Sequence, residues 1–243
     1  MPNFSRLIKL AKLVNVNPEQ GKMIANAYEQ MRHNPDDPNV KAAYEALIRE
    51  TGDQYQDMID SGFKVSKIKP HQSNPYRSSK DLHSDIEENK HLSFFPTSQG
   101  FGTEADAFKH HPLLQSTKYA IDDNPLLAND LFRIVHDYRG HHLGGKTSFG
   151  PKGEHQAYLK HKEDFSPSAQ EALATETMGQ NSWVNFGPHG DANQTTPLQT
   201  VYADQKAGLL PKELIEGNWH ASNPTDEDIQ RFKLLKSLLE KNK

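Results

Sequence analysis

The sequence predicts a mainly α fold, a helical bundle-like domain with long loops and little or no β-structure. Three observations carry that expectation. Apolar residues recur at helical spacing, proline and aspartate punctuate the recurrence, and a mean hydropathy of -0.84 requires much of the length to be exposed helix face and loop. From Phe4 to about Ile59 three stripes follow one another. They are Leu7, Leu10, Ala11 and Val14; then Ile24, Ala27, Tyr28 and Met31; then Val40, Ala43, Tyr44, Leu47, Thr51, Gln54, Tyr55 and Met58. The turns between them are "NVNP" at 15–18 and "NPDDPN" at 34–39. Residues 1–61 are therefore an N-terminal helical segment and 62–123 a loop-rich connection, in which "PHQSNPYRSSKD" is a loop, "HLSFFPT" a short strand and "SQGFGT" a turn. Residues 124–220 form a motif-bearing helical core, and 221–243 a charged C-terminal helix capped at Thr225. Together these make one compact domain.

Composition narrows the chemistry. A chain of 243 residues can bury a proper core. It has no cysteine, which excludes disulfides, thiolate metal sites and a cysteine nucleophile, so any metal must be held by His, Asp or Glu. A net charge of -4 with interspersed signs leaves no electrostatic footprint for direct nucleic-acid binding. No run reaches membrane-span length, and "MPNFSRLIKLAKLVNV" lacks a signal-peptide core, so a soluble, intracellular protein is expected.

The stretch "GHHLGGKT" at 140–147 fits a phosphate-binding loop letter for letter. Such a loop needs a helix to open at the lysine, and "SFGPKGE" cannot supply one. The two histidines are the content of that stretch.

Four features then converge. In "VHDYRGHH", His136 and His141 are five residues apart, which on an α-helix is about 140° around the axis and not one face. A helix ending at Gly140 lets His141 swing back toward His136, whereas a continued helix would pair Asp137 with His141. In "GEHQAYLKH", Glu154 and His161 are seven apart and share a helical stripe. In "SPSAQEALATETMGQN", Ser166 is an N-cap and Pro167 a first helical residue. There Glu176 falls on the apolar stripe of Ala169, Ala172 and Leu173, where a carboxylate must be paired, protonated or bound to a cation. In "GQNSWVNFGPHGD", amides with Trp183, Phe186 and His189 have the composition of a wall that faces substrate or supports ligands, and Gln180 and Asn181 belong to it. Singly, each has a plainer reading as a helix cap or as a glutamate paired with Arg133 or Arg139. Jointly, His136, His141, Glu154, His161 and Glu176 are N/O donors for a divalent Zn, Mn or Fe ion, and Glu50 could complete such a site from a distant helix.

The segments "NDLFRIVHDYRGH", "GEHQAY", "TETMGQNSWVNFGPHGDAN" and "ADQKAGLLP" resemble a family of bacteriophage and prophage proteins, also embedded in large multi-domain phage polypeptides. The shared motifs are V-H-D-x-x-G-H, G-E-x-x-A, a later His and T-E-T-x-G-Q-N-S-W-x-N-x-G-P. The N-terminal "DDPNVKAAYEALIRETGDQY" and "NPYRSSKDL" match as well, so the likeness spans about residues 20–215. It singles out His136, Asp137, Gly140, His141, Glu154, His161, Glu176, Gln180 and Asn181. Two positions depart: His155 stands where the family has a second acid, and Met178 where it has an arginine. The resemblance implies phage origin, residence in the host cytoplasm or association with the virion, and a site; it implies no reaction.

The expected reaction is activation of water for hydrolysis at a His/Glu metal site, with Asp137 or Glu176 as general base where it is not itself a ligand. The substrate would be a small molecule or a host or phage macromolecule. The alternatives are three. An HD-like phosphohydrolase would add His110 or His111 and Asp191 or Asp204 to the His136-Asp137 doublet. A non-haem iron oxygenase would use two histidines and a carboxylate. A non-enzymatic virion or host-binding protein would use the polar cluster only to fix its fold.

Overall fold

The computed structural model describes residues 18–70, 72–99, 110–195 and 199–215. The Leu7 to Val14 stripe, the "SQGFGT" turn from Gly100 on and the C-terminal helix lie outside these residues. The chain is mainly helical, as its patterning predicts.

Helix α1 (Pro18–Gln30) buries Ile24, Ala27 and Tyr28, and α2 (Pro38–Asp60) buries the whole third stripe from Val40 to Met58. The start of α2 follows from its first residues. Asp37 Oδ1 accepts from the N–H groups of Asn39 (2.9 Å) and Val40 (3.2 Å), and Pro38 occupies the first turn, where no donor is needed.

The connection at 62–123 is more ordered than its composition suggests. Strands β1 (Lys64–Lys67) and β2 (His91–Phe94) pair in parallel around α3 (Ser79–Asn89), so part of the expected loop "PHQSNPYRSSKD" is the first turn of a helix. Strands β3 (Ser116–Ile121) and β4 (Asn124–Leu127) form an antiparallel hairpin. Its turn residues Asp122 and Asp123 have φ of 51° and 61°, the paired left-handed geometry of a type I′ turn. These two short two-stranded ribbons are the little β-structure of a mainly helical chain. Each strand has four to six residues, too few for a period-two signal to stand out.

Helix α4 (Ala128–Val135) divides the interior. Ala128 and Phe132 join a core built with α1, α2 and the later helices, while Leu131, Ile134 and Val135 join a second core with Tyr55, Met58, α3 and β2. Its last turn widens into a π-helix at His136–His142. Next come α5 (Pro151–Lys162) and α6 (Pro167–Ala174), the latter passing through a second π segment, Thr175–Gly179, into α7 (Gln180–Phe186). Short helices α8 (Gly190–Thr195) and α9 (Lys212–Ile215) close the described chain. Ser166 and Pro167 open α6 as the sequence predicts. Among the described residues no helix is long and apolar enough to cross a membrane.

Candidate metal centre

The π-helix answers the spacing problem of "VHDYRGHH". An i→i+5 ladder places residues five apart above one another, so His136 and His141 share a face that an α-helix would deny them. The wide turn is visible in the Leu143 N–H donating to the Tyr138 carbonyl at 2.9 Å. Gly140 permits it: a Cβ there would stand 3.0 Å from His136 Nδ1 and 3.1 Å from the Ala157 carbonyl oxygen. The segment therefore lies directly against α5, whose stripe of Glu154 and His161 faces it.

His136 sits between the two ends of that stripe. Its Nε2 faces Glu154 Oε2 at 3.9 Å, and its Nδ1 meets His161 Nδ1 at 3.0 Å. His141 Nε2 approaches the same carboxylate oxygen at 3.3 Å, while its Nδ1 is engaged by Thr147 Oγ1 at 2.9 Å. One donor atom each from His136, His141 and Glu154 thus lies within 4.8 Å of the others. Two ligands bound at about 2.1 Å in a tetrahedral site stand about 3.4 Å apart, so these separations suit a divalent ion. The chemistry of the donors agrees. His136 Nε2 is buried and has no hydrogen-bond partner, which costs about 1–3 kcal/mol unless something fills the gap. His136, His141 and Glu154 could hold a metal ion.

Glu154 and the two imidazoles stabilise one another's charged forms. Burial works to raise the Glu154 carboxyl, but His136 and His141 outweigh it and hold its pKa at about 2. Burial opposes the charged form of His141, yet the Glu154 carboxylate keeps its pKa above the ordinary imidazole value. Asp137 moves the other way: burial raises it above the usual carboxylate range, and the two imidazoles offset this only in part. His136, Asp137 and Glu154 line one cleft of about 1700 Å³, together with Arg133, Asn129, Phe132 and Phe149.

His161 and Glu176 do not join the three donors. His161 is fully buried behind His136, its Nε2 is engaged by Gln54 Oε1 at 2.9 Å, and burial drives its pKa well below the ordinary value. It touches His136 and is not one of the three converging donors. Glu176 belongs to a second polar cluster on the cleft. Oε1 accepts from the Tyr44 hydroxyl and faces His111 Nε2 at 3.4 Å, and Oε2 accepts from Gln180 Nε2 at 2.9 Å. Its two oxygens are engaged by phenol and amide beside the His111 ring, the pairing alternative to a metal.

The expected amide and aromatic wall divides similarly. Gln180 and Asn181 line the cleft. Trp183 does not: its ring is in the main core and its Nε1–H donates to Glu29. His189 is exposed, 5.9 Å from the Trp183 ring. Glu50, a remote ligand by expectation, instead caps α6, accepting from the Ser166 N–H (2.8 Å) and Oγ–H (2.7 Å). Arg139 pairs with Asp57 and Asp164 and with neither site glutamate. Lys146 of the loop-like "GGKT" is tied to Glu87 at 2.5 Å, and a helix, not a strand, precedes the segment. The HD ligand set is not assembled among the described residues, because His111 lies on Glu176.

Three functional neighbours escaped the sequence reading: Gln54, Thr147 and Tyr44. The signal for Gln54 was present, since a polar residue on a buried stripe must find a partner. Comparison of the chain with models of known families, with curated proteins and with solved structures finds no match in any of the three.

Proposed function

We propose that this chain is a phage-encoded, metal-dependent hydrolase, with His136, His141 and Glu154 as its metal ligands. One observation carries the reading: two imidazole nitrogens, one buried without a partner, converge with one carboxylate oxygen at the wall of a wide cleft. A divalent ion there would polarise water and a substrate carbonyl or phosphoryl oxygen. Within the same cleft Asp137 serves as general base, because burial lifts its carboxyl toward the range in which a proton is taken and returned. Arg133, also on the cleft, offers a cation to an anionic group of substrate. Glu176, held by Tyr44 and Gln180, keeps Gln180 at the cleft and takes no part in binding the ion. Phage origin rests on the motif resemblance.

The donor set of two histidines and one carboxylate also favours a second reading, a non-haem iron oxygenase. Elemental analysis of protein purified without a metal-affinity tag separates the two, run beside a His136→Ala/Glu154→Ala variant checked by circular dichroism. Near-stoichiometric Zn or Mn, lost in the folded variant, supports the hydrolase, and Fe redirects screening to oxygen chemistry. No metal after reconstitution with Zn, Mn and Fe(II) overturns both and leaves a non-enzymatic virion or host-binding protein.

A further inference from the structure

We propose that Gln54, on a different helix and beyond reach of the ion position, sets the tautomer of the ligand His136 by relay through His161. The inference rests on the metal reading above and adds a positioning residue to it.

The relay begins at a backbone carbonyl. Gln54 Nε2 donates to the Asp164 carbonyl at 3.3 Å, which turns Oε1 toward His161; the flipped amide would set oxygen against oxygen. An amide oxygen can only accept, so the His161 nitrogen at 2.9 Å, Nε2, carries the proton. His161 has no exposed surface, and a buried imidazolium facing another imidazole would be costly, so the ring is neutral and its Nδ1 holds a lone pair. That lone pair faces His136 Nδ1 at 3.0 Å, so His136 must donate there. With the proton fixed on Nδ1, Nε2 is the nitrogen His136 can offer bare to a cation beside Glu154. The reverse tautomer of His161 would place two acceptors against each other at Gln54 and leave His136 Nδ1 as the acceptor, putting the His136 proton on Nε2, where it would block the ion.

Ligating histidines ordinarily pass their second N–H to a carboxylate, a carbonyl or water. Here a second imidazole takes it, and the proton position is decided one side chain further back. Phe132 and Phe165 flank His161, with centroids 6.4 Å and 4.7 Å from its ring, and wall it with apolar surface.

The test uses the full chain, metal-free, with ¹⁵N-labelled histidine, and compares wild type with Gln54→Leu and Gln54→Glu. Long-range ¹H–¹⁵N correlations read the tautomers, and chelator competition reads zinc affinity. In wild type, His161 is expected as the Nε2–H form and His136 as the Nδ1–H form. Gln54→Leu should mix the tautomers and weaken zinc by about 10- to 100-fold. Gln54→Glu, which keeps an acceptor for His161 but sets an oxygen against the Asp164 carbonyl, should retain the wild-type tautomers and lose less zinc affinity than Gln54→Leu. A wild-type His161 protonated at Nδ1, or a Gln54→Leu protein with unchanged tautomers and affinity, overturns the relay. Should wild type show the expected tautomers but bind no zinc, manganese or iron, the metal reading falls while the tautomer relay stands on the spectra.

Discussion

The two π-helical segments make a natural pair. Both interrupt a helix, both end near a glycine pressed against a neighbour, and both bring buried polar side chains to one cleft. At Thr175–Gly179 both oxygens of Glu176 accept hydrogen bonds, from Tyr44 and from Gln180. At His136–His142 the accounting stays open, with His136 Nε2 lacking a partner and Glu154 facing imidazoles at 3.3 and 3.9 Å. Burial of a carboxylate is therefore no mark of a metal site. Convergence of two imidazoles and a carboxylate around one nitrogen that makes no hydrogen bond is the better sign.

Substitutions should separate the segments. The largest effect is expected from His141→Ala, which removes a ligand: stoichiometric metal should disappear in mass spectrometry while circular dichroism stays helical. Glu176→Ala should do the opposite. Stranding Tyr44 and Gln180 in a buried cluster costs about 3 kcal/mol, or roughly 6–12 °C in Tm for a chain of this size. Metal content should not change, and its loss in this variant would merge the two clusters into one site. The glycines sharpen the contrast further. Gly140→Ala pushes on His136 and on the Ala157 carbonyl, whereas Gly179→Ala meets Tyr28 Cδ2 at 2.8 Å. Each should cost about 1–3 kcal/mol by overpacking, measured by denaturant titration, and only the first should also weaken metal binding. Thr147→Val deletes the partner of His141 Nδ1 and should lower zinc affinity about tenfold, read by chelator competition.

The smallest effect calibrates the scale with a carboxylate outside both segments. Burial works to raise Asp85, but hydrogen bonds from Tyr76, Asn89 and His91 outweigh it and hold its pKa below the ordinary value. A depressed native pKa stabilises the fold at pH above the unfolded value of about 3.9, and the contribution is lost as pH falls through the native one. Asp85→Asn should therefore cost about 1 kcal/mol at neutral pH. The difference from wild type should be present at pH 7 and shrink as pH falls below the ordinary carboxylate value, as followed by unfolding at pH 7 and through the acid range.

Much of this was legible in the chain. The stripe from Val40 to Met58, the Ser166 cap and the stripe shared by Glu154 and His161 are one-dimensional signals, because helix periodicity and capping are set by residues a few positions apart. The absence of cysteine already confined any metal site to His, Asp and Glu. Two matters were decided only by tertiary structure. The first is the π geometry: reasoning at 3.6 residues per turn puts His136 and His141 on different faces, and it is the packing of Gly140 on α5 that makes the wider turn fit. The second is which glutamate is paired only by imidazoles. Glu154 and Glu176 look alike in sequence, and their fates differ because Tyr44 and His111, far away in the chain, reach Glu176 and leave Glu154 to the imidazoles. Hydrogen-bond satisfaction is a property of the assembled interior, so no local pattern could assign it.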